Sequence, residues 1–177
     1  MKKVTLILAA IVMIAGVTTK TMAQNSASAN AGVKIVKALT LTKTADLHFG
    51  TMTIPTAGVV ISLSTANART ADVPGNITLL PQAPVAANAA YTVAGSADAT
   101  YAITLPSSNV TINGPSGATT IVNNFVAKTA STGTDGLTGT LNGSGADSFV
   151  VGAKLNLAGS QAFGIYSGTF DVTVNYN

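Results

Sequence analysis

The chain has 177 residues, no cysteine, no tryptophan, 8% charged side chains and a formal net charge of +3. Without cysteine it can hold no disulfide scaffold, thiol nucleophile or thiolate metal site. Its scattered single charges make no basic footprint for a phosphate backbone, which excludes nucleic acid as an expected partner.

The first residues read as a targeting segment. Lys2 and Lys3 precede a run from Val4 to Val17 that is apolar except at Thr5, and Thr21-Met22-Ala23 places small residues where a signal peptidase reads. Residues 1–23 are therefore expected to be a signal peptide, cut before Gln24. The apolar run of 14 residues is too short for a membrane anchor, since a spanning helix needs about 20. No later segment is long and apolar enough to cross as a helix, so the mature chain is expected to have no transmembrane helix and to be exported. Cleavage removes Lys2, Lys3 and Lys20, which leaves six basic side chains against six aspartates and a net charge of zero over 154 residues, a length suited to one domain.

Residues 24–32 are small and polar, yet Ala27, Ala29, Ala31, Val33 and Ile35 alternate with Ser28, Asn30, Gly32 and Lys34, and the parity continues through Leu39 and Leu41. The spacing predicts an extended segment whose first half has only methyl groups to bury. Two readings stay open. Residues 24–32 are an extension donated as a strand to another molecule, or a flexible leader to a domain spanning residues 33–177.

Within that domain, Leu47 and Phe49 precede Gly50, and Pro55 and Gly58 mark a turn. Val59, Ile61 and Leu63 make a strand, Arg69–Gly75 a loop, and Ile77 and Leu79 a short strand before the Pro81–Pro84 break. Ala90–Val93 and Tyr101–Leu105 are further strands, the second stopped by Pro106. Val110 and Ile112 form a short piece closed by the turn Asn113-Gly114-Pro115. Ile121–Ala127 is strand-like but changes parity at Asn123 and Asn124. Ser131–Ser148, apolar only at Leu137 and Leu141, is a long surface loop or a loop around one short edge strand. Phe149, Val151, Ala153, Leu155 and Leu157 alternate again.

The strongest pattern is Ile165–Tyr176, a nearly full-length strand with Tyr166, Phe170, Val172, Val174 and Tyr176 on one face and Ser167, Thr169, Asp171, Thr173 and Asn175 on the other. Such a strand cannot bury its apolar face alone and is expected inside a sheet with a second sheet across it. The aromatics read as core packing rather than as a ligand stripe. Short strands at this spacing make the fold class all-β, an immunoglobulin-like or jelly-roll-like β-sandwich.

Catalytic chemistry has few bearers. His48 alternates outward between Leu47 and Phe49 and reads as a surface histidine. There is no Glu, and the six Asp are isolated from one another, with no dense acidic loop for a cation. Two carboxylates converging in space for glycoside hydrolysis stay open from spacing alone. The loop glycines lack the Lys-Ser/Thr ending of a phosphate cradle. The expectation is a non-enzyme with no catalytic, cofactor or metal residues.

The strings Val36–Thr51, Gly152–Leu155 and Gln161–Tyr176 together resemble a family of exported bacterial proteins known as a domain of unknown function, number 4402. More distantly, the arrangement is similar to pilin subunits of the archaic chaperone–usher pathway and to spore-coat U proteins. In these an N-terminal strand runs into a Leu-x-Phe-Gly-like element and the last strand closes with Val-x-Val-x-Tyr. That resemblance implies a sandwich lacking one strand, completed first by a periplasmic chaperone and then by the N-terminal extension of the next subunit. On this chain the donor would be Gln24 to about Ile35, with Ala27, Ala29, Ala31, Val33 and Ile35 inserted, and the strand exposed to the chaperone would carry Tyr166, Phe170, Val172, Val174 and Tyr176. The chain departs from those relatives in lacking their cysteine pair and in having alanines where donor strands carry larger side chains. The implied function is a non-catalytic structural subunit of a bacterial surface filament or fimbria, partnered by its own copies or related subunits. The alternative is a monomeric secreted or surface-attached module that binds glycan or protein, and an exported hydrolase comes third.

Overall fold

The computed structural model describes residues 25–177, so the expected signal peptide, residues 1–23, lies outside the described residues. The chain divides into two units, Met1–Lys34 and Ile35–Asn177. In the first, residues 25–34 carry no secondary structure and are exposed throughout. The alternation over Ala27–Ile35 thus makes no strand on its own. Burying an alanine methyl contributes about 0.8 kcal/mol, less than the roughly 1–2 kcal/mol that ordering each backbone residue costs.

The second unit contains twelve strands: β1 (Thr40–Ala45), β2 (His48–Phe49), β3 (Val59–Leu63), β4 (Arg69–Ala71), β5 (Ala86–Ala87), β6 (Ala89–Ala94), β7 (Thr100–Thr104), β8 (Val110–Asn113), β9 (Thr119–Thr129), β10 (Thr138–Thr140), β11 (Ala146–Leu157) and β12 (Thr173–Tyr176). All pair antiparallel. The fold is an all-β sandwich. Its larger sheet has seven strands centred on β11, which pairs along one edge with β6 and then β3, end to end, and along the other with β9; β1, β4 and β8 extend it outward. The smaller sheet has the order β10-β7-β12, and β2 and β5 pair separately.

Two apolar clusters follow from this layout. Around the first half of β11, Tyr91, Val93, Phe149 and Val151 meet Tyr101 and Ile103 of the opposite sheet, with Tyr91 and Phe149 stacked at 5.0 Å. This is a two-layer core in which alternate residues from both sheets interdigitate. Around the second half, Val59, Ile61, Leu63, Val122, Ala153 and Leu155 are covered by Phe49 and Ile77, but the three-stranded sheet does not extend over them. Phe125 and Leu47 touch both clusters.

Three expectations are corrected by the fold. Arg69–Ala71, read as loop, is strand β4, because the Arg69 side chain is turned inward onto backbone carbonyls instead of into water. Ile77 and Leu79 form no strand; Ile77 is buried, and the backbone makes a single bridge, Met52 to Leu79. The C-terminal strand enters a ladder only over Thr173–Tyr176 and lies at a sheet edge. Continuing the register of Thr173 opposite Thr104 places Asp171 opposite Pro106, which has no N–H to donate, so the ladder stops. The parity change at Asn123 and Asn124 is a β-bulge. The β9–β11 register shifts between Gly152 and Lys154, and Asn124 takes φ of 49°. Of the two readings of Ser131–Ser148 the second holds as far as Gly145, with β10 as the short edge strand and Leu141 buried after it, while Ala146–Ser148 already belong to β11.

Candidate functional site

Where the smaller sheet stops short, an apolar groove of about 650 Å³ lies open. Its floor is Val122, Phe125, Leu155 and Leu157, with Val110 and Ile112 of β8 beside them. One wall is the segment Leu47–Pro55 and the other is Gln161–Phe170.

The first wall is held from its outer side. His48 and Phe49 pair with Ala87 and Ala86, and further on Leu80 N donates to Thr51 O at 3.0 Å, Thr53 N to Thr78 O at 3.0 Å and Thr56 N to Asn76 O at 2.9 Å. The Arg69 guanidinium donates from Nη1 to Phe49 O and Thr51 O at 2.8 and 2.9 Å and from Nη2 to Leu80 O at 2.8 Å. It occupies the space where a side chain on Gly50 would lie, and Gly50 has φ of 79°, so glycine is required there twice over. In a ladder, alternate residues point their amide groups to opposite edges. Thr51 and Thr53 bond outward, and the backbones of Met52 and Ile54, which face the other way, make no hydrogen bond among the described residues.

The second wall is anchored at its start. Ser167 and Asn113 exchange two backbone hydrogen bonds of 2.9 Å, Tyr166 Oη donates to Ala162 O and accepts from Gln161 Nε2, both at 2.8 Å, and Gln161 also reaches Thr119 O. The Tyr166 ring lies against Gly114, where an added Cβ would collide with it. Phe170 tilts onto Phe125 at 4.8 Å. Between these anchors, the backbone of Gly168–Asp171 makes no hydrogen bond among the described residues. The site is therefore a trough between two backbone edges with unused donors and acceptors, floored by hydrophobic side chains.

Of the residues singled out from the sequence, the structure brings Tyr166 and Phe170 to the groove, while Val172, Val174 and Tyr176 pack, half-buried, on the first cluster. Ala27, Ala29, Ala31, Val33 and Ile35 are exposed, Val33 at 85% and Ile35 at 89%. The groove residues that sequence reasoning missed are Met52, Ile54 and Phe163. Pro106, which stops β7 and leaves the second wall unpaired, was the available signal. His48 is exposed, as alternation required, and its Nδ1 accepts from Gly50 N–H at 2.8 Å. The aspartates are dispersed: Asp46 pairs with Lys43, Asp72 accepts from Val60 N, Asp135 from Thr65, and Asp147 from Tyr101 and Ser131. Among the described residues no group of three or more His or Asp lies together for a metal, and no helix is long and apolar enough to cross a membrane.

A family model described as Domain of unknown function (DUF4402) matches residues 39–176. No curated protein and no solved structure matches the chain.

Proposed function

We propose, from the premise that this chain belongs to the DUF4402 family, that it is an exported, non-catalytic structural subunit of a bacterial surface filament, assembled by strand addition. The observation that carries this reading is the groove with a free backbone edge on each wall, alongside an extension in the same chain that alternates apolar side chains and, among the described residues, is exposed and pairs with no strand. A strand laid in the trough satisfies Met52 and Ile54 on one side and Gly168–Asp171 on the other, at about 0.5–1.5 kcal/mol net for each hydrogen bond. Val33 and Ile35, moved from water onto Phe125, Leu155 and Leu157, each contribute about 1.5–3 kcal/mol, and each alanine methyl about 0.8 kcal/mol. Strand donation from one copy to the next is a head-to-tail contact, which propagates into a filament instead of closing a dimer. A periplasmic chaperone seated in the same trough before assembly is the partner that the pilin resemblance implies.

The test compares the mature chain with Val33→Asp and with a chain lacking residues 24–32, by electron microscopy and thermal melting. Both variants are expected to keep the parent melting temperature, since these residues are exposed, and to lose filaments. Filaments of unchanged length from either variant contradict strand addition. A parent chain that stays monomeric and binds a glycan or protein instead supports the alternative of a secreted binding module.

A further inference from the structure

Followed away from the groove, its two walls converge. The first runs back through β1 to Lys37, and the second runs forward through β12 to Tyr176. There Tyr176 Oη donates to Lys37 O at 2.8 Å and accepts from Ser96 N at 2.7 Å, while Lys37 N donates to Ser96 Oγ at 2.8 Å. This knot closes that end, so a strand lying between the walls can leave only by the other, at Ile54, Phe163 and Ile165. These three are exposed at 52%, 83% and 88%, an apolar rim that no other described residue covers.

The donor segment adds a limit on distance. Its last large apolar residue, Ile35, is two positions from Lys37, and Lys37 is fixed in the knot of its own subunit. Two extended residues reach about 7 Å. With Ile35 in a neighbour's groove, the donor's knot must therefore lie within that distance of the acceptor's groove mouth. There is no length of chain in which a flexible linker could form.

We infer that successive copies abut body to body, the Val36–Lys37 neck of the donor lying on Ile54, Phe163 and Ile165 of the acceptor, so that the filament is a stiff rod. The inference rests on the strand-addition reading and commits to a second copy of this chain as the occupant of the rim. It accounts for three large exposed apolar side chains that the insertion of a strand along the floor leaves unexplained, and it places the half-exposed Val36 in the same contact.

The test inserts Gly-Ser-Gly-Ser between Val36 and Lys37, and separately makes the double variant Phe163→Ser, Ile165→Ser, with filaments imaged by negative-stain electron microscopy. The insertion keeps every donor side chain, so filaments are expected to form, with subunit spacing increased by up to about 13 Å and persistence length reduced severalfold. The double variant is expected to keep the parent spacing and to bend more. Binding of a synthetic peptide of residues 25–35, which stops short of the neck, to each variant checks that the groove is intact. Inserted filaments with the parent's spacing and stiffness overturn the abutment and leave strand addition standing. A parent chain whose assembly ignores Val33→Asp overturns strand addition and this inference with it.

Discussion

Tyr101 lies fully buried in the smaller sheet, and its hydroxyl donates across the core to Asp147 of β11 at 2.8 Å. Burial, then that hydrogen bond and the carboxylate's charge, raise the phenol's pKa above its ordinary 10.0; Tyr91 shifts the same way through burial and then Asp46. The fold favours the protonated phenol. Its contribution to stability is therefore complete below the unfolded value of 10.0 and falls away as pH rises above it toward the higher folded value. Melting followed by circular dichroism should show a loss of stability above pH 10 that is shallower in Tyr101→Phe. At neutral pH that variant should be less stable by about 1.5–3 kcal/mol, for one hydrogen bond to a charged group. An equally steep alkaline loss in the variant would remove Tyr101 as a cause. The residue-level facts that escaped the sequence are of this kind. Alternation places Tyr101 inward, but that its hydroxyl meets Asp147, or that Arg69 meets three carbonyls, depends on which strands become neighbours.

Most elements were legible as strands from period-two alternation, because a strand with one buried face carries that pattern wherever it lies in the chain. β3, β6, β7 and β11 fall on the expected stretches, and the parity change in β9 is the Asn124 bulge. The last strand was legible by face but not by length. Its residues from Tyr166 to Tyr176 keep the in-and-out pattern, yet those facing in are only half-buried and only four residues enter a ladder. That geometry sets the size of the effects expected in β12 and the residue before it. Val172→Lys puts a charge at the edge of the first cluster and should cost about 2 kcal/mol. Thr173→Lys points to solvent and should stay within about 0.5 kcal/mol. Denaturant titration of the two variants checks the pair, and equal losses would mean that the face assignment is wrong.

For the whole molecule, the neutral composition after Ala23 and the leading Lys2-Lys3 and apolar run make one expectation independent of the groove. Expressed in an export-competent bacterial host, the chain should be recovered outside the cytoplasm beginning at Gln24, a loss of 23 residues readable by intact mass. Recovery of the full-length chain in the cytoplasm would remove the filament proposal's first requirement. The proposal's second requirement is a fold that is incomplete by one strand. The two edges without ladder partners among the described residues are the feature that supports it.

The sequence alone determined the class of structure: antiparallel strands with one apolar face, packed in two layers, with no clustered charge and no disulfide. These follow from local periodicity and composition, and each strand reports them separately. Tertiary structure alone decided where the second layer ends. Pro106 stops β7, the three-stranded sheet therefore covers only the first half of β11, and Leu155, Leu157, Val122 and Phe125 are left as the floor of a trough. No single strand records this, because a groove is made by the absence of a neighbour, and which strand lacks one is settled only when all the pairings are in place.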